Sequence, residues 1–446
     1  MRNDVNDSSL DINERLAALR FAAGGKQWPG GNEINNHIHT IYSFSPYTPS
    51  MAALCAREAG LCAAGSVDHD SIAAAKEMLE ACAILGIGGC VGFEVRVSFL
   101  KRPDGTAGPF AGRKINNPDS EGNVYMTVQG IPSCSITAAA EFLKPIREER
   151  LKRTKAMTLN ANILLKEADI EAINFENDIL AKSKFSEGGE ITERHLVAAI
   201  SGKIIKKYTK GRGLLEALNR KFNINVSAKL SSMLWDEKNP FYEYDLLGIL
   251  KSEFLPRIFI QPDENECIPA NRVTAFADSI SAISAYAYLG DVAESPTGDK
   301  KAEKFEDEFV DDLFAELSRI GYKAVTYMPP RNTKEQLKKI RQLSSKWNFM
   351  EISGVDINSP RQLFNCPEVL QDEFVHLIDT TWALIAHERF ASVDSAYGLL
   401  SDKNPLCTMN LSRRIETYAS FGKKLDLYHP DDSAADLVQE IFKGRV

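Results

Sequence analysis

Histidine is scarce in this chain, which has only seven histidines in 446 residues. The eight cysteines show no Cys-x-x-Cys spacing and mostly lie in apolar segments, so they indicate reduced packing residues rather than a zinc site. No apolar run approaches the roughly 20 residues that a membrane span requires, and the polar, acidic N-terminus is not typical of a signal sequence. We therefore expect a cytoplasmic protein with no membrane partner.

Basic residues are outnumbered by acidic ones, since the chain has 53 Lys and Arg residues and 61 Asp and Glu residues, which gives a net charge of −8. This balance argues against nonspecific binding of long nucleic acid. Basic residues recur at spacings of three and four in 203–221. They predict either a basic face for a nucleotide or a solvated helix face, and aromatic residues that could stack on bases are few there.

Three of the seven histidines nevertheless lie within the first 70 positions. His37 and His39 end a short apolar run, and because side chains alternate along a strand they point the same way. His69 and Glu94 each follow an apolar segment typical of a buried strand. A core role is the alternative for any single histidine, but imidazoles and a carboxylate at several strand ends together predict a divalent-metal site.

The same residues carry a family resemblance. The order His-x-His-Thr, with Ser43 three residues after Thr40, then Asp-His-Asp and Gly-x-Glu, resembles the polymerase and histidinol phosphatase (PHP) domain, a family of metal-dependent phosphoesterases. Residues 321–327 resemble the strand before the family's final unit, and 352–358 resemble its closing Gly-Ser-Asp-x-His motif. The resemblance implies an α/β fold, namely a distorted (β/α)7 TIM-like barrel of the PHP type.

Alternating strand and helix signals agree with such a fold. Thr48-Pro49 predicts a helix start, and Thr333 with Gln336 predicts a capping box. A turn-rich excursion is expected at 101–123, a strand at 124–129, and a long charged helix from 137 to about 166. The predicted organisation is an N-terminal arm (1–30), a first barrel part (31–135), a mostly helical insertion (136–260), a second barrel part (261–365) and a helical C-terminal extension (366–446).

The resemblance implies two or three divalent metal ions (Mn, Fe, Zn or Mg) that activate a water for attack on phosphorus. Glu94 is the predicted bridging carboxylate, and Asp68 is predicted to orient an imidazole ring. The predicted metal ligands are His37, His39, His69, Glu94, Asp291, Asp356 and Asn358.

The later chain departs from the family pattern where histidines are expected. No histidine occurs in 286–291, and the last motif ends in Asn358 instead of histidine; in the first loop, Phe44 or Ser45 stands where Asp or His is frequent. Either a metal has been lost, or oxygen ligands have replaced imidazoles, and we favour the second account. A turn residue is the alternative for Asp291, and a helix cap is the alternative for Asp356.

Three residues are predicted to contact the substrate. Arg331 follows the predicted strand 324–328, and its guanidinium matches phosphate geometry; a solvated loop cation is the alternative. Arg194 and His195 resemble a short Arg-x-His or Arg-Pro-His stretch in the helical insertion of nucleotide-hydrolysing members, and a surface histidine in a first helical turn is the alternative. The predicted catalytic residues are Arg331, His195 and Asp68, and the predicted substrate-binding residues are Arg331, Arg194 and His195.

We therefore expect a metal-dependent phosphoric ester hydrolase that acts on a small phosphomonoester or nucleotide. Two alternatives stay open. The chain could be a PHP-barrel binding protein with weakened catalysis, or it could hydrolyse a non-phosphate bond with the same metal chemistry. Neither composition nor motif predicts the substrate's identity or the oligomeric state.

Overall fold

The computed structural model describes residues 2–292 and 303–442, so 293–302 of the predicted second barrel part and 443–446 of the predicted extension lie outside the described residues. In the described ranges, seven strands form one sheet in chain order. The strands are β1 (Glu33–Ile38), β2 (Leu61–His69), β3 (Gly88–Ser98), β4 (Asn123–Gln129), β5 (Ile283–Ala287), β6 (Ala324–Tyr327) and β7 (Met350–Ser353).

Helices account for most of the rest of the described chain. They are α1 (Arg2–Val5), α2 (Ile12–Ala23), α3 (Pro49–Glu58), α4 (Ala75–Leu85), α5 (Ile136–Glu167), α6 (Glu193–Tyr208), α7 (Arg212–Phe222), α8 (Ala228–Trp235), α9 (Tyr242–Glu253), α10 (Ala270–Ser279), α11 (Val310–Ile320), α12 (Lys334–Trp347), α13 (His376–Val393), α14 (Leu411–Gly422) and α15 (Pro430–Phe442). Among these described helices, none combines the length and the apolar character needed to cross a membrane.

Capping hydrogen bonds confirm the predicted helix starts. The Thr48 side chain accepts a hydrogen bond from a backbone N–H of the first turn of α3, and a proline lies in that turn. Thr333 and Gln336 cap α12 reciprocally. The excursion at 101–122 and the long charged helix also occur where the sequence predicted them.

The strand directions differ from the all-parallel sheet that a (β/α)7 barrel implies. Strands β1, β2 and β3 are parallel, as are β5, β6 and β7, but β4 is antiparallel to both of its neighbours. The reason is that the excursion at 101–122 carries the chain back beside β3 without a crossover helix, so β4 must run the opposite way.

The sheet curls but does not close into a barrel, because β1 and β7 form no ladder with each other. The segment after β7 nevertheless reaches β1, where Ile357 forms an isolated parallel bridge with Ile38. The backbone N–H of His39 donates to the carbonyl of Ile357 at 2.9 Å, and the Asn35 side chain bonds both backbone groups of Val355 at 3.0 Å. The architecture is thus α/β with a curled seven-stranded sheet, and these few bonds hold the ends of β1 and β7 together.

Helix α13 fills the inner face of this sheet. Helices α3, α4, α11 and α12 cover the outer face, whereas α13 shares an apolar cluster with inward side chains such as Ala63, Ala285 and Ile352. The fit is close, since a Cβ placed on Gly88 would lie 2.6 Å from Ile385. The predicted C-terminal extension, for which the sequence suggested no role, therefore supplies part of the core.

The insertion has a core of its own. Helices α5 to α9 bury an apolar cluster separate from the two that cover the sheet. Helix α6 packs against α9, and both lie in this cluster. The first turn of α6 and the ring of Tyr244 on α9 reach the loop that follows β1.

Candidate metal centre

The first three strands bring four predicted ligands to one end of the sheet. His37 lies near the end of β1, which has an irregular register just there, and His39 follows immediately. His69 is the last residue of β2 and stands opposite Glu94 in the β2–β3 ladder. Parallel strands present their carboxyl ends at the same edge, and this register therefore places the imidazole and the carboxylate side by side.

His37, His39 and Glu94 form a group whose donor atoms all lie within 4.8 Å of one another; we call it the cation group. The Nε2 atoms of His37 and His39 each lie 4.0 Å from an oxygen of Glu94, and Nδ1 of His69 lies 2.8 Å from Oε2 of Glu94. All three members are buried, with exposures of 1% for His39 and 8% for the other two.

The donor atoms of the cation group fit a divalent cation. Nε2 of His39 is buried and has no hydrogen-bond partner among the described residues. Burial and the adjacent His69 lower the pKa of His39 to about 3, so its ring is neutral and offers a lone pair at neutral pH. A buried imidazole nitrogen without a hydrogen-bond partner keeps the lone pair that a metal ligand requires, and here two carboxylates face it.

Two carboxylates face this nitrogen. Burial alone would raise the pKa of Glu94, but His69, His37 and His39 outweigh it and lower the pKa to about 2. Asp356 lies 3.3 Å from Nε2 of His39, and the imidazoles lower its pKa to about 2 against the opposing effect of burial. Ionised carboxylates beside imidazole nitrogens form a donor set suited to Mn²⁺, Fe²⁺ or Zn²⁺.

Asp68 acts on the cation group through Ser43. Its carboxylate accepts hydrogen bonds from the backbone N–H of Thr40 at 2.7 Å and from the hydroxyl of Ser43 at 2.5 Å, and burial raises its pKa. The Ser43 oxygen in turn lies 3.2 Å from Nδ1 of His39. The sequence predicted that Asp68 orients an imidazole ring, but not that Ser43 lies between the two side chains. The signal was present in the motif, since Ser43 is four residues after His39.

The acids of the later strands have different fates. Asp356 is brought to the imidazoles because the segment after β7 pairs with β1, and the Asn358 amide donates to Oδ1 of Asp356 at 2.6 Å. Asp291 is bonded within its own loop. Its Oδ1 accepts the backbone N–H of Phe305 at 2.6 Å, so this oxygen is engaged by the loop after β5. Ligation by Asp291, Asp356 or Asn358 stays a prediction.

Two arginines flank the end of the sheet where Asp356 lies. Arg331 donates from Nε to the carbonyl of Leu289 at 3.1 Å; burial lowers its pKa, while nearby acids, Asp356 among them, oppose that effect. Arg194 donates from Nη1 to the carbonyl of Asn358 at 3.3 Å, and its buried Nε has no hydrogen-bond partner among the described residues. Arg194 thus contacts the segment that delivers Asp356, and Arg331 lies within electrostatic reach of that carboxylate.

His195 is neither at the surface nor free at both nitrogens. It is 8% exposed, and its Nδ1 accepts the backbone N–H of Thr192 at 3.0 Å, which caps α6. Burial chiefly lowers its pKa to about 3. Its ring packs edge-on against Phe44, which has a φ of 72°. The alternative of a surface histidine is therefore wrong, and Phe44 brings a ring, not a ligand, to the first loop.

The basic residues of 203–221 do not form an open cationic face at the start of that segment. Lys203 and Lys206 pair with Glu171 at 2.9 and 3.0 Å, and Lys207 pairs with Asp169 at 2.7 Å. These contacts favour the interpretation of a solvated, ion-paired helix face.

Comparisons with known proteins give no family assignment. No family model matches this chain, and no curated protein matches it. A protein from Bifidobacterium adolescentis named as a metal-dependent phosphoesterase is similar in structure, with a TM-score of 0.47, 18% identity and coverage of 79% of this chain and 97% of that chain. An amidohydrolase from Chromobacterium violaceum, solved with sulfate and no metal, has a TM-score of 0.46 and 17% identity, covering 75% of this chain and 90% of that one. These likenesses are too distant to transfer either activity to this chain.

Proposed function

We propose that this chain is a metal-dependent phosphoric ester hydrolase of the PHP type. The observation that carries the proposal is the Nε2 atom of His39, which is buried without a hydrogen-bond partner and lies between two ionised carboxylates. An unpaired buried polar atom destabilises a fold by about 1–3 kcal/mol, and coordination of a cation removes that penalty.

The residues that would hold a cation are His37, His39, Glu94 and Asp356. The contact between Glu94 and His69 supports a bridging role for Glu94 toward a second ion. Bound there, a divalent cation would supply a water of lowered pKa and would stabilise charge on a phosphoryl oxygen. We propose one or two ions instead of three, because Oδ1 of Asp291 is bonded to Phe305 and Phe44 brings a ring to the first loop.

The proposed substrate is a phosphate ester because the centre is flanked by two guanidiniums. Arg194, on the insertion, bonds the carbonyl of Asn358, and Arg331, on the loop after β6, bonds the carbonyl of Leu289 and has Asp356 among the acids that act on its pKa. Guanidinium groups bind phosphate oxygens with paired, charge-assisted hydrogen bonds. In this proposal Arg194 and Arg331 orient the phosphoryl group, and His195 packs behind Arg194 and Phe44 rather than transferring a proton.

The exposure of the ligands indicates a small substrate. His39 is 1% exposed, whereas the side chains of His69 and Asp356 are 21% and 39% exposed, so the approach is from the side of these two residues. The rings of Phe44 and Tyr244 narrow the approach from the insertion, with centroids 6.4 Å apart. A phosphomonoester or a mononucleotide suits such an approach better than a polymer.

The test begins with protein purified without chelators and metal counting by mass spectrometry. The same preparation is then assayed on parallel panels of phosphomonoesters and amides, with Mn²⁺, Fe²⁺ or Zn²⁺ added. We expect at least one ion per chain and phosphomonoester turnover that a chelator abolishes. Turnover of amides alone would overturn the choice of phosphate esters in favour of a non-phosphate hydrolase.

A binding protein with weakened catalysis is the second candidate. The observation in its favour is that Oδ1 of Asp291 is bonded to the loop after β5, whereas three ions need more ligands than the cation group and Asp356 supply. This candidate predicts cation and phosphate binding without turnover of any ester in the panel.

A further inference from the structure

A buried network of ion pairs lies directly behind the candidate metal centre. Glu193 pairs with Arg150 at 2.6 Å, with Arg153 at 2.5 Å and with Arg96 at 3.2 Å. Arg96 and Arg153 also pair with Glu266, at 2.5 and 2.6 Å, and Arg150 pairs with Asp70 at 2.5 Å. The side chains are 2–12% exposed. We call these six residues the buried ion network.

The network is in charge balance. It contains three guanidiniums and three carboxylates, and burial raises the pKa of the nearby Glu190 well above the usual range, which opposes a fourth negative charge. Burial opposes ionisation of Glu193, yet the three arginines hold its pKa well below the usual range. A buried network of this kind specifies one arrangement of its parts, since removing one charge leaves others unpaired.

The network touches both sides of the proposed site. Asp70 directly follows His69, and Arg96 lies two residues after Glu94 on the same face of β3. On the other side, Glu193 is the first residue of α6 and directly precedes Arg194. The insertion is therefore joined to the strands of the metal centre through the residue that begins α6.

Arg194 has few contacts of its own that could hold it in place. One nitrogen donates to the carbonyl of Asn358 at 3.3 Å, and its guanidinium lies 5.9 Å from the centroid of the Phe44 ring. A weak hydrogen bond and a loose cation–π contact do not fix a long side chain. Its position follows from where the first turn of α6 is held, and Glu193 contributes three buried ion pairs to that turn.

We propose that Glu193 is a positioning residue, which fixes the first turn of α6 through three arginines so that Arg194 stands beside Asp356 and binds the substrate phosphate. The identity of the ligand rests on the proposed function. The consequence is that Glu193, which does not touch the substrate, controls phosphate affinity through Arg194 alone.

The experiment is a double-mutant cycle on the full-length, cation-loaded protein with inorganic phosphate as the probe. Glu193→Gln, Arg194→Met and the double variant are compared by calorimetry, with Glu176→Gln as control because Glu176 forms an exposed ion pair with Lys155 in the same insertion. We expect Glu193→Gln to weaken phosphate binding about 10- to 100-fold, the usual effect of losing a charge-assisted hydrogen bond. Cation affinity should stay within about twofold, and the control should match the wild type on both measures.

The cycle separates positioning from a general structural role. In the Arg194→Met background, Glu193→Gln should change phosphate affinity by less than about twofold, because its effect has already been removed. Additive effects would overturn the proposal. If Glu193→Gln does not fold, Glu193→Asp keeps the charge on a shorter side chain and should weaken phosphate binding in the same non-additive way; phosphate binding as tight as in the wild type would contradict the proposal. Failure of the proposed function would show differently, as a wild-type protein that binds a cation but no phosphate.

Discussion

The two halves of the sheet contribute unequally to the candidate metal centre. Strands β1 to β3 deliver three imidazoles and Glu94, whereas β5 to β7 deliver one carboxylate, Asp356, from the segment after β7. Asp291 follows β5 in the same way but bonds to the loop instead. The comparison shows that the contacts of an acid that follows a strand depend on where the backbone after that strand is held.

The two later acids differ because their backbones are held by different partners. The segment after β7 is drawn to β1 by the bonds of Ile357, which brings Asp356 against His39. The loop after β5 is held by Asp307 and Gln336, which bond the N–H and the carbonyl of Asp291 at 3.1 and 3.0 Å. These bonds, with the contact between Oδ1 and the Phe305 N–H, tie Asp291 to the loop after β5.

The largest expected effect comes from replacing matched acids in the two halves. Glu94→Gln should lower cation affinity and phosphomonoester turnover by at least about a thousandfold, because it removes the carboxylate shared by three imidazoles. Asp291→Asn should leave both within a few-fold, since an amide oxygen can still accept the Phe305 N–H. Calorimetric cation titration and steady-state assays check the pair. Equal losses in the two variants would show that the halves contribute equally.

The second-largest effect is expected in the core, where strands of both halves of the sheet pack on α13. Leu384 is fully buried on this helix, which packs against β1, β3 and β7. Leu384→Ala should lower the free energy of unfolding by about 2–5 kcal/mol, measured by urea denaturation. Val393→Ala, at a position 42% exposed near the end of the same helix, should change it by less than about 0.5 kcal/mol. A similar, small change in both would mean that α13 is not part of the core.

A smaller effect is expected from the first half's supporting contacts. Ser43→Ala removes the hydroxyl between Asp68 and His39 and should weaken cation affinity about 10- to 100-fold without unfolding the protein. Ser45→Ala is the matched control in the same loop, because the Ser45 hydroxyl is buried without a hydrogen-bond partner among the described residues. A larger loss from Ser45→Ala would refute the proposed link between Asp68 and His39.

The smallest effect is expected in the second half, on the substrate side. Arg331→Met should weaken phosphate binding about tenfold and leave cation affinity unchanged, since Arg331 faces the Asp356 segment without belonging to the cation group. Lys334→Met, which removes a largely exposed ion pair with Glu373 nearby, serves as control. If cation affinity fell as far as phosphate affinity, Arg331 would support the ligands instead of the substrate.

The ligands of the first half were predictable because their geometry is local. His37 and His39 are two residues apart on one strand, and the β2–β3 register that pairs His69 with Glu94 follows from short helical crossovers between parallel strands. Helix caps at Thr48 and Thr333 were predictable for the same reason, since each depends on three or four neighbouring residues.

Long-range features escaped prediction. The reversal of β4, the burial of α13 inside the curled sheet and the bond from Asp291 to Phe305 all depend on partners that no short motif contains. His195 is similar: its place in a first helical turn was visible, but its burial against Phe44 depends on how the insertion docks.

By itself, the sequence determined which side chains could bind a cation and on which strands they lie, because alternation along a strand and capping are local properties. Only the tertiary structure decided which of those side chains meet. Asp356 lies against His39 and Asp291 bonds within its own loop, because hydrogen bonds to β1 in one case and to Asp307 and Gln336 in the other hold the backbone. The buried ion network is likewise a tertiary feature, since its charges come from five separate segments and can be balanced only once these are packed together.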